Sequence, residues 1–297
     1  MAGLDERTYD DRDGWIWLDG KLVPWRDANV HILTHALHYA SSVFEGQRAY
    51  GGEIFELSRH SQRLIDSARI LGFELPWSRD QIDQACRDTL KANDLVDAYV
   101  RPVAWRGSEQ MGVSAQKTKA HMAVAVWDWG AYFGADAQAG LRLDIAPWRR
   151  PAPYTAPVQA KASGLYMIAT MSKHHAEGRG YNDALMFDYR GQVAEATGAN
   201  AFFVKDGVLH TPTPECFLNG ITRQTVMGLA RQRGIEVVER TIWPEELEGF
   251  EQMFLTGSAA EVTPVREAGP WNFEVGEITR VLQKDYADLV RGLRGNA

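Results

Sequence analysis

The 297-residue chain contains only two cysteines, Cys86 and Cys216, far apart and outside any C-x-x-C pattern. That spacing implies neither a disulfide framework nor a zinc site. No uncharged apolar run reaches membrane-spanning length, and the polar, acidic start Met1-Ala2-Gly3-Leu4-Asp5-Glu6-Arg7 has no apolar core of signal-peptide type, so a cytoplasmic location is expected. Basic clusters are missing too. A net charge of −7 argues against a general nucleic-acid surface. His35 and His38 have no carboxylate-rich helix beside them and no H-E-x-x-H accompanies them, so no metal site is expected. G-x-S-x-G and P-loop motifs are absent.

Lysine is scarce, at eight residues against twenty-four arginines. One of the eight, Lys161, stands among small residues in Ala160-Lys161-Ala162-Ser163-Gly164-Leu165-Tyr166. A lysine that forms an imine needs such a small, partly apolar niche. Thirty-four residues later Glu195 lies in Val193-Ala194-Glu195-Ala196-Thr197-Gly198-Ala199-Asn200. Further on, Gly220-Ile221-Thr222-Arg223 opens an apolar-periodic stretch, so the free N–H groups of a helix start would face an anion there.

Periodicity predicts an α+β chain. Gly14–Leu18 and Lys21–Val23 flank Asp19-Gly20, a pair suited to the positive φ angles of a two-residue hairpin. A second hairpin is expected around Gly51-Gly52, between Phe44–Tyr50 and Glu53–Leu57. One helix is expected from about His60 to Leu71, and a second after Ser78, whose capping box with Gln81 precedes the stripe Ile82, Ala85, Cys86 and Leu90. Strands follow at Ala98–Trp105 and His121–Trp127. The aromatic, glycine-rich stretch after Trp127 reads as a linker. Beyond it, strands are expected near Leu141–Ile145, Ala184–Asp188, Ala201–Val204, Ile235–Glu239 and Gln252–Thr256. Helices are expected after Ser163, from Thr222 to Arg233, and at the C-terminus. The domain reading is a small α+β domain over 1–127, a linker over 128–135 and a large domain over 136–297.

The blocks around Lys161, Glu195 and Gly220-Ile221-Thr222-Arg223, in this order, resemble those of the fold-type IV pyridoxal phosphate aminotransferases, and within them the branched-chain amino acid aminotransferases. The similarity runs from about Trp15 to about Pro264. It implies a two-domain fold of the D-amino acid aminotransferase type, with a small α/β domain and a larger β-barrel-like domain carrying helices. It also implies pyridoxal 5'-phosphate as cofactor and transamination between leucine, isoleucine or valine and 2-oxoglutarate.

The resemblance further implies roles for individual residues. Lys161 would be the Schiff-base lysine and proton shuttle. Tyr166 would bond the cofactor's ring oxygen, and Glu195 its pyridine nitrogen. Arg63, Leu218, Ile221, Thr222, Gly257 and Ser258 would complete the cofactor site. Tyr39, Phe44, Gly46, Arg48, Trp129, Ser258 and Ala259 would line the substrate pocket, with Arg101 and Tyr132 receiving the glutamate carboxylate. The Met111-Gly112-Val113 loop would reach a partner's pocket, making a homodimer or higher homo-oligomer a functional requirement.

The sequence departs from the family pattern in three places. Ala199 stands where many of these enzymes have a second glutamate, Asn219 replaces a common proline and Ser258 a common threonine. Two alternatives keep the fold or the cofactor. One is a D-amino acid or (R)-amine transaminase or an aminodeoxychorismate lyase, and the other is a non-catalytic cofactor-binding protein.

Overall fold

The computed structural model describes residues 8–130, 132–134 and 136–293, with the Asp136 side chain excepted. Residues 1–7, whose sequence argued against a leader, and Ala131 and Ala135 of the expected linker lie outside the described residues. Two compact units form. One runs up to Trp129 and takes in Ala162–Gly164, and the other comprises Gly130–Lys161 and the chain from Leu165 onward.

In the first unit the order is β1 (Trp15–Leu18), β2 (Lys21–Pro24), α1 (His35–Tyr39), β3 (Ser42–Phe44), β4 (Gln47–Tyr50), β5 (Glu53–Ile54), α2 (Leu57–Ile70), α3 (Arg79–Ala92), β6 (Ala98–Arg106) and β7 (Ala120–Trp127). The strands make an antiparallel sheet in the order β2-β1-β7-β6-β4-β5, with β3 also paired to β6. Asp19 and Gly20 take φ of 47° and 101°, closing the first hairpin as expected.

One sheet face packs on α2 and α3. Met122, Val124 and Val126 alternate inward along β7 and meet Leu64, Ile82 and Cys86, each essentially inaccessible. Fully burying an aliphatic side chain contributes about 1.5–3 kcal/mol. The expected capping box is present: Ser78 Oγ accepts from Gln81 N, and Gln81 Oε1 accepts from Ser78 N. The second hairpin differs from expectation. The chain breaks at Glu45 and Gly46, so Phe44 belongs to β3, and Leu57 already belongs to α2. Burial of Glu45 with helix-borne partners explains that break.

The second unit contains α4 (Asp136–Ala139), β8 (Leu141–Ile145), α5 (Tyr166–Glu177), β9 (Asp183–Phe187), β10 (Val193–Ala196), β11 (Asn200–Lys205), β12 (Val208–Pro212), α6 (Ile221–Gln232), β13 (Val237–Arg240), β14 (Gln252–Gly257), β15 (Glu261–Ala268), β16 (Trp271–Asn272) and α7 (Glu277–Val290). Strands β10-β9-β8-β15-β14-β11 form a ring that the pairing of Glu195 on β10 with Asn200 on β11 closes. A closed ring leaves no edge among those six strands. β8 runs parallel to both its neighbours, β9 and β15.

Helices α5, α6 and α7 contact β9, β14 and β15 respectively. With both faces covered, β9 and β10 are buried along their whole lengths. Such strands lose the alternation that marks a half-exposed strand. α6 ends as anticipated, with Gly234 at φ +74° just beyond its C-cap Arg233.

Candidate active site

Lys161 sits in the second unit just before a short 3-10 turn, Ser163–Leu165, that leads into α5. Tyr166 is the first residue of that helix, and the Lys161 Nζ donates to its hydroxyl over 2.8 Å. Both side chains are half-buried. An amine held against a phenol in a small niche is an arrangement suited to imine chemistry.

Glu195 is buried on β10, and β-pairing on both sides fixes its backbone. Oε2 accepts from Asn200 Nδ2 at 3.1 Å, and Oε1 lies 3.4 Å from Arg150 Nε. Burial pushes the carboxyl up to about 7, against the lowering pull of Arg150 and then Lys161. With alanine at 199, Glu195 has one amide donor, Asn200, and the nearby Arg150 cation. Arg150 was not singled out in the sequence, since nothing local distinguishes Arg149 from Arg150. Asn200 lay inside the quoted block without a role.

The Asn200 amide also donates to Leu218 O at 3.1 Å. Its Oδ1 occupies the space at Gly220, where an added Cβ would lie 2.2 Å away. Glycine is thus demanded at the N-cap of α6, and Asn200 links the Glu195 carboxylate to that helix start. No side chain caps α6, so Gly220 presents its first-turn N–H groups uncovered by a cap. Thr222, expected to help complete the cofactor site, is buried in the first turn of α6. Arg223 explains the rigidity of this corner: fully buried, it donates to Thr211 Oγ1, Pro212 O and Asn219 Oδ1 and pairs with Glu239 at 2.8 Å. Asn219 in place of proline thus supplies an acceptor.

Gly257 and Ser258 follow β14, and the preceding Thr256 hydroxyl is buried with no hydrogen-bond partner among the described residues. An orphaned hydroxyl, an uncapped helix start, an amine–phenol pair and a buried acid in one unit form a donor set that fits pyridoxal phosphate.

In the first unit Arg101 extends from β6 among the rings of Phe44, Tyr99 and Trp127, at 4.7, 5.1 and 5.9 Å. Its Nη2 donates to Tyr99 OH at 3.0 Å, and its Nε is buried without a hydrogen bond. Among the described residues no carboxylate pairs with it. Gly46 is explained by Tyr99: a Cβ there would lie 2.1 Å from the phenol oxygen. Tyr99 is wedged edge-on against Trp129, at 4.5 Å between ring centres, and packs on Trp127. The sequence offered no signal for Tyr99 beyond its strand. Arg48 lies near the Tyr50 ring, 5.7 Å from its centre.

Arg63 is engaged by Glu45, through Nε at 2.6 Å and Nη2 at 2.9 Å, while His60 Nδ1 lies 2.7 Å from the same carboxylate. Burial alone would raise Glu45; Arg63 and His60 hold it well below the usual carboxylate range. Tyr39 is 43% exposed and stacks on the buried His35, whose Nε2 lies 3.0 Å from Gly112 O; Val113 beside it is 87% exposed. An apolar groove of about 350 Å³ in the same unit is lined by Ile16, Leu18, Val30, Leu37, Val103 and Arg101. Tyr132 belongs to the second unit, against Phe133 and near Lys173. Ala259 follows Ser258 and is half-buried.

A closed barrel bearing a lysine–tyrosine pair, a buried acid and an uncapped helix start defines a pyridoxal-phosphate type of enzyme. The sequence signature described as "Amino-transferase class IV" matches residues 42–268. The chain belongs to that family.

It is 44% identical over 290 residues to a branched-chain-amino-acid aminotransferase of Pseudomonas aeruginosa, covering 95% of this chain and 94% of the relative. Two solved structures share its fold at a TM-score of 0.91, each covering 95% of this chain and 96% of the other. One, 36% identical, is the branched-chain aminotransferase of the archaeon Thermoproteus uzoniensis with norvaline. The other, 35% identical, is the T.th. branched-chain amino acid aminotransferase complexed with N-(5'-phosphopyridoxyl)-L-glutamate.

Proposed function

We propose that this chain uses pyridoxal 5'-phosphate to move an amino group between L-leucine, L-isoleucine or L-valine and 2-oxoglutarate, giving branched-chain 2-oxo acids and L-glutamate. The observation that carries this reading is Arg101, a cation that no carboxylate pairs with among the described residues, set among Phe44, Tyr99 and Trp127. Aromatic walls suit an aliphatic side chain, and one cation among them suits the carboxylate of glutamate. The relatives' ligands, norvaline and a phosphopyridoxyl-glutamate, represent these two side-chain types.

When bound, the cofactor supplies an electron sink for the carbanion formed beside the amino group. Lys161 holds it and moves the proton from the substrate α-carbon. Tyr166, which accepts from the Lys161 amine and orients it, would hydrogen-bond the cofactor's ring oxygen. Glu195, in its ionised form, would keep a proton on the pyridine nitrogen. In the second unit the α6 start with Leu218, Ile221 and Thr222, together with Gly257 and Ser258, would hold the phosphate. In the first unit Tyr39, Phe44, Gly46, Arg48 and Trp129 shape the substrate site, and Arg101 acts on the distal carboxylate.

The chain functions as a homodimer or higher homo-oligomer in the cytoplasm. Support comes from the apolar groove with exposed Val30, Leu37, Tyr39 and Val113 around its unit, since exposed apolar patches mark contact surfaces. Among the described residues no helix is long and apolar enough to cross a membrane.

The test compares rates of the purified protein with L-leucine, D-alanine, a chiral (R)-aryl amine and aminodeoxychorismate, with 2-oxoglutarate as acceptor for the three amines. L-Leucine should dominate. Preference for another donor overturns the substrate, and no turnover with any overturns the activity.

A further inference from the structure

Arg150 is one of the few arginines of this chain removed from water: its side chain is 8% exposed, and Glu195 is the carboxylate it approaches. Its position is fixed independently of that carboxylate. The backbone N–H donates to Phe187 O at 2.8 Å, residue 150 bridges to Asp188 beside β9, and the Nε proton is donated to Cys216 O at 3.3 Å, so Glu195 feels the guanidinium as a charge. The guanidinium is therefore held beside Glu195 whatever the acid's charge. An arginine keeps its own charge at any working pH, and removing it from water is costly, so this placement needs an electrostatic reason.

We propose that Arg150 is the positioning residue that keeps Glu195 ionised, and so sets the protonation of the cofactor's pyridine nitrogen. Glu195 lies on β10 between β9 and β11, and among the described residues the groups that act on its carboxyl are few. Arg150 and Lys161 carry charge, while the Asn200 amide is a neutral donor. Burial favours the uncharged acid. Lys161 is committed to the cofactor, which leaves Arg150 as the permanent cation. An ionised Glu195 accepts a hydrogen bond from a protonated pyridine; a neutral one would donate instead and leave the ring a poorer electron sink.

This inference rests on the proposed role of Glu195, and the experiment separates the two. Cofactor-free wild type, R150M, R150Q and R150K are titrated with pyridoxal phosphate between about pH 6 and pH 9, with tryptophan fluorescence as the readout. The half-reaction rate with L-leucine is then followed over the same range on the loaded proteins. R150Q retains a side-chain donor for Cys216 O and carries the test should R150M fold poorly.

The expected result is an upward move of the pH midpoint of affinity by about 1–3 units in R150M and R150Q. Both should lose at least about tenfold in rate near pH 7, recovering as pH rises, and R150K should stay near wild type. Unchanged pH profiles in R150M and R150Q would overturn the inference. A uniform loss that no pH restores and that R150K shares would also overturn it, since that would mark a packing role. Failure of the wild type itself to bind the cofactor would instead strike the proposed function.

Discussion

The Lys161 amine donates to the Tyr166 hydroxyl across 2.8 Å, spanning the 3-10 turn that leads to the first residue of α5. The turn brings together two side chains five residues apart in sequence. Hydrogen bonds to charged partners contribute about 1.5–3 kcal/mol. Tyr166→Phe should accordingly lower kcat for L-leucine about 10- to 100-fold while leaving the melting temperature close to wild type. Stopped-flow half-reaction kinetics check this, and an unchanged kcat would remove Tyr166 from the chemistry.

Arg101→Met should split the two half-reactions. The KM for 2-oxoglutarate should rise about 10- to 100-fold, the loss of one charge-assisted contact, while single-turnover conversion of L-leucine changes little. Gly46→Ala should give a milder version, because its Cβ would press on the Tyr99 oxygen that accepts from Arg101. Equal losses for both substrates in Arg101→Met would contradict the assignment.

Gly220→Ala tests the link between the acid and the helix start. The new methyl would meet Asn200 Oδ1, whose amide is held by Glu195 and Leu218 O. Overpacking of this kind costs about 1–3 kcal/mol, so the dissociation constant for pyridoxal phosphate should rise about tenfold or more. Equilibrium dialysis of the cofactor measures it.

Glu45 gives a pH prediction. Its carboxyl is held below the usual range when folded, so its contribution to stability is present above the ordinary glutamate pKa near 4.5 and is lost as pH falls below it. Breaking a buried ion pair costs about 3–5 kcal/mol. Glu45→Gln should therefore destabilise the protein by about that much at pH 7 in urea melts, and the gap to wild type should narrow in acid. A gap that is constant down to about pH 3, below the ordinary glutamate range, would rule out the ionic explanation.

The sequence made the first unit readable because one face of its sheet meets water on a period of two, as along β7, and because Asp19-Gly20 and Ser78 with Gln81 are local turn and cap chemistry. In the second unit β10, β12, β15 and the two-residue β16 were not anticipated. β10 is Val-Ala-Glu-Ala, buried throughout, with no alternation to detect. β15 contains Pro264, a residue that argues against a strand interior; it is tolerated immediately before Val265, where pairing to β8 begins. Lys161 and Glu195 were legible through their motif blocks. Arg150 and Tyr99 were not, because what distinguishes them is a partner distant in sequence, Glu195 for one and Gly46 for the other.

The most direct measurement is the absorbance spectrum of the purified protein with pyridoxal phosphate, before and after L-leucine is added without any keto acid. The account predicts a band near roughly 410 nm that requires Lys161 and gives way on leucine addition to one near roughly 330 nm. No such band in the wild type, or the same band and multiple turnovers in Lys161→Ala, would contradict it.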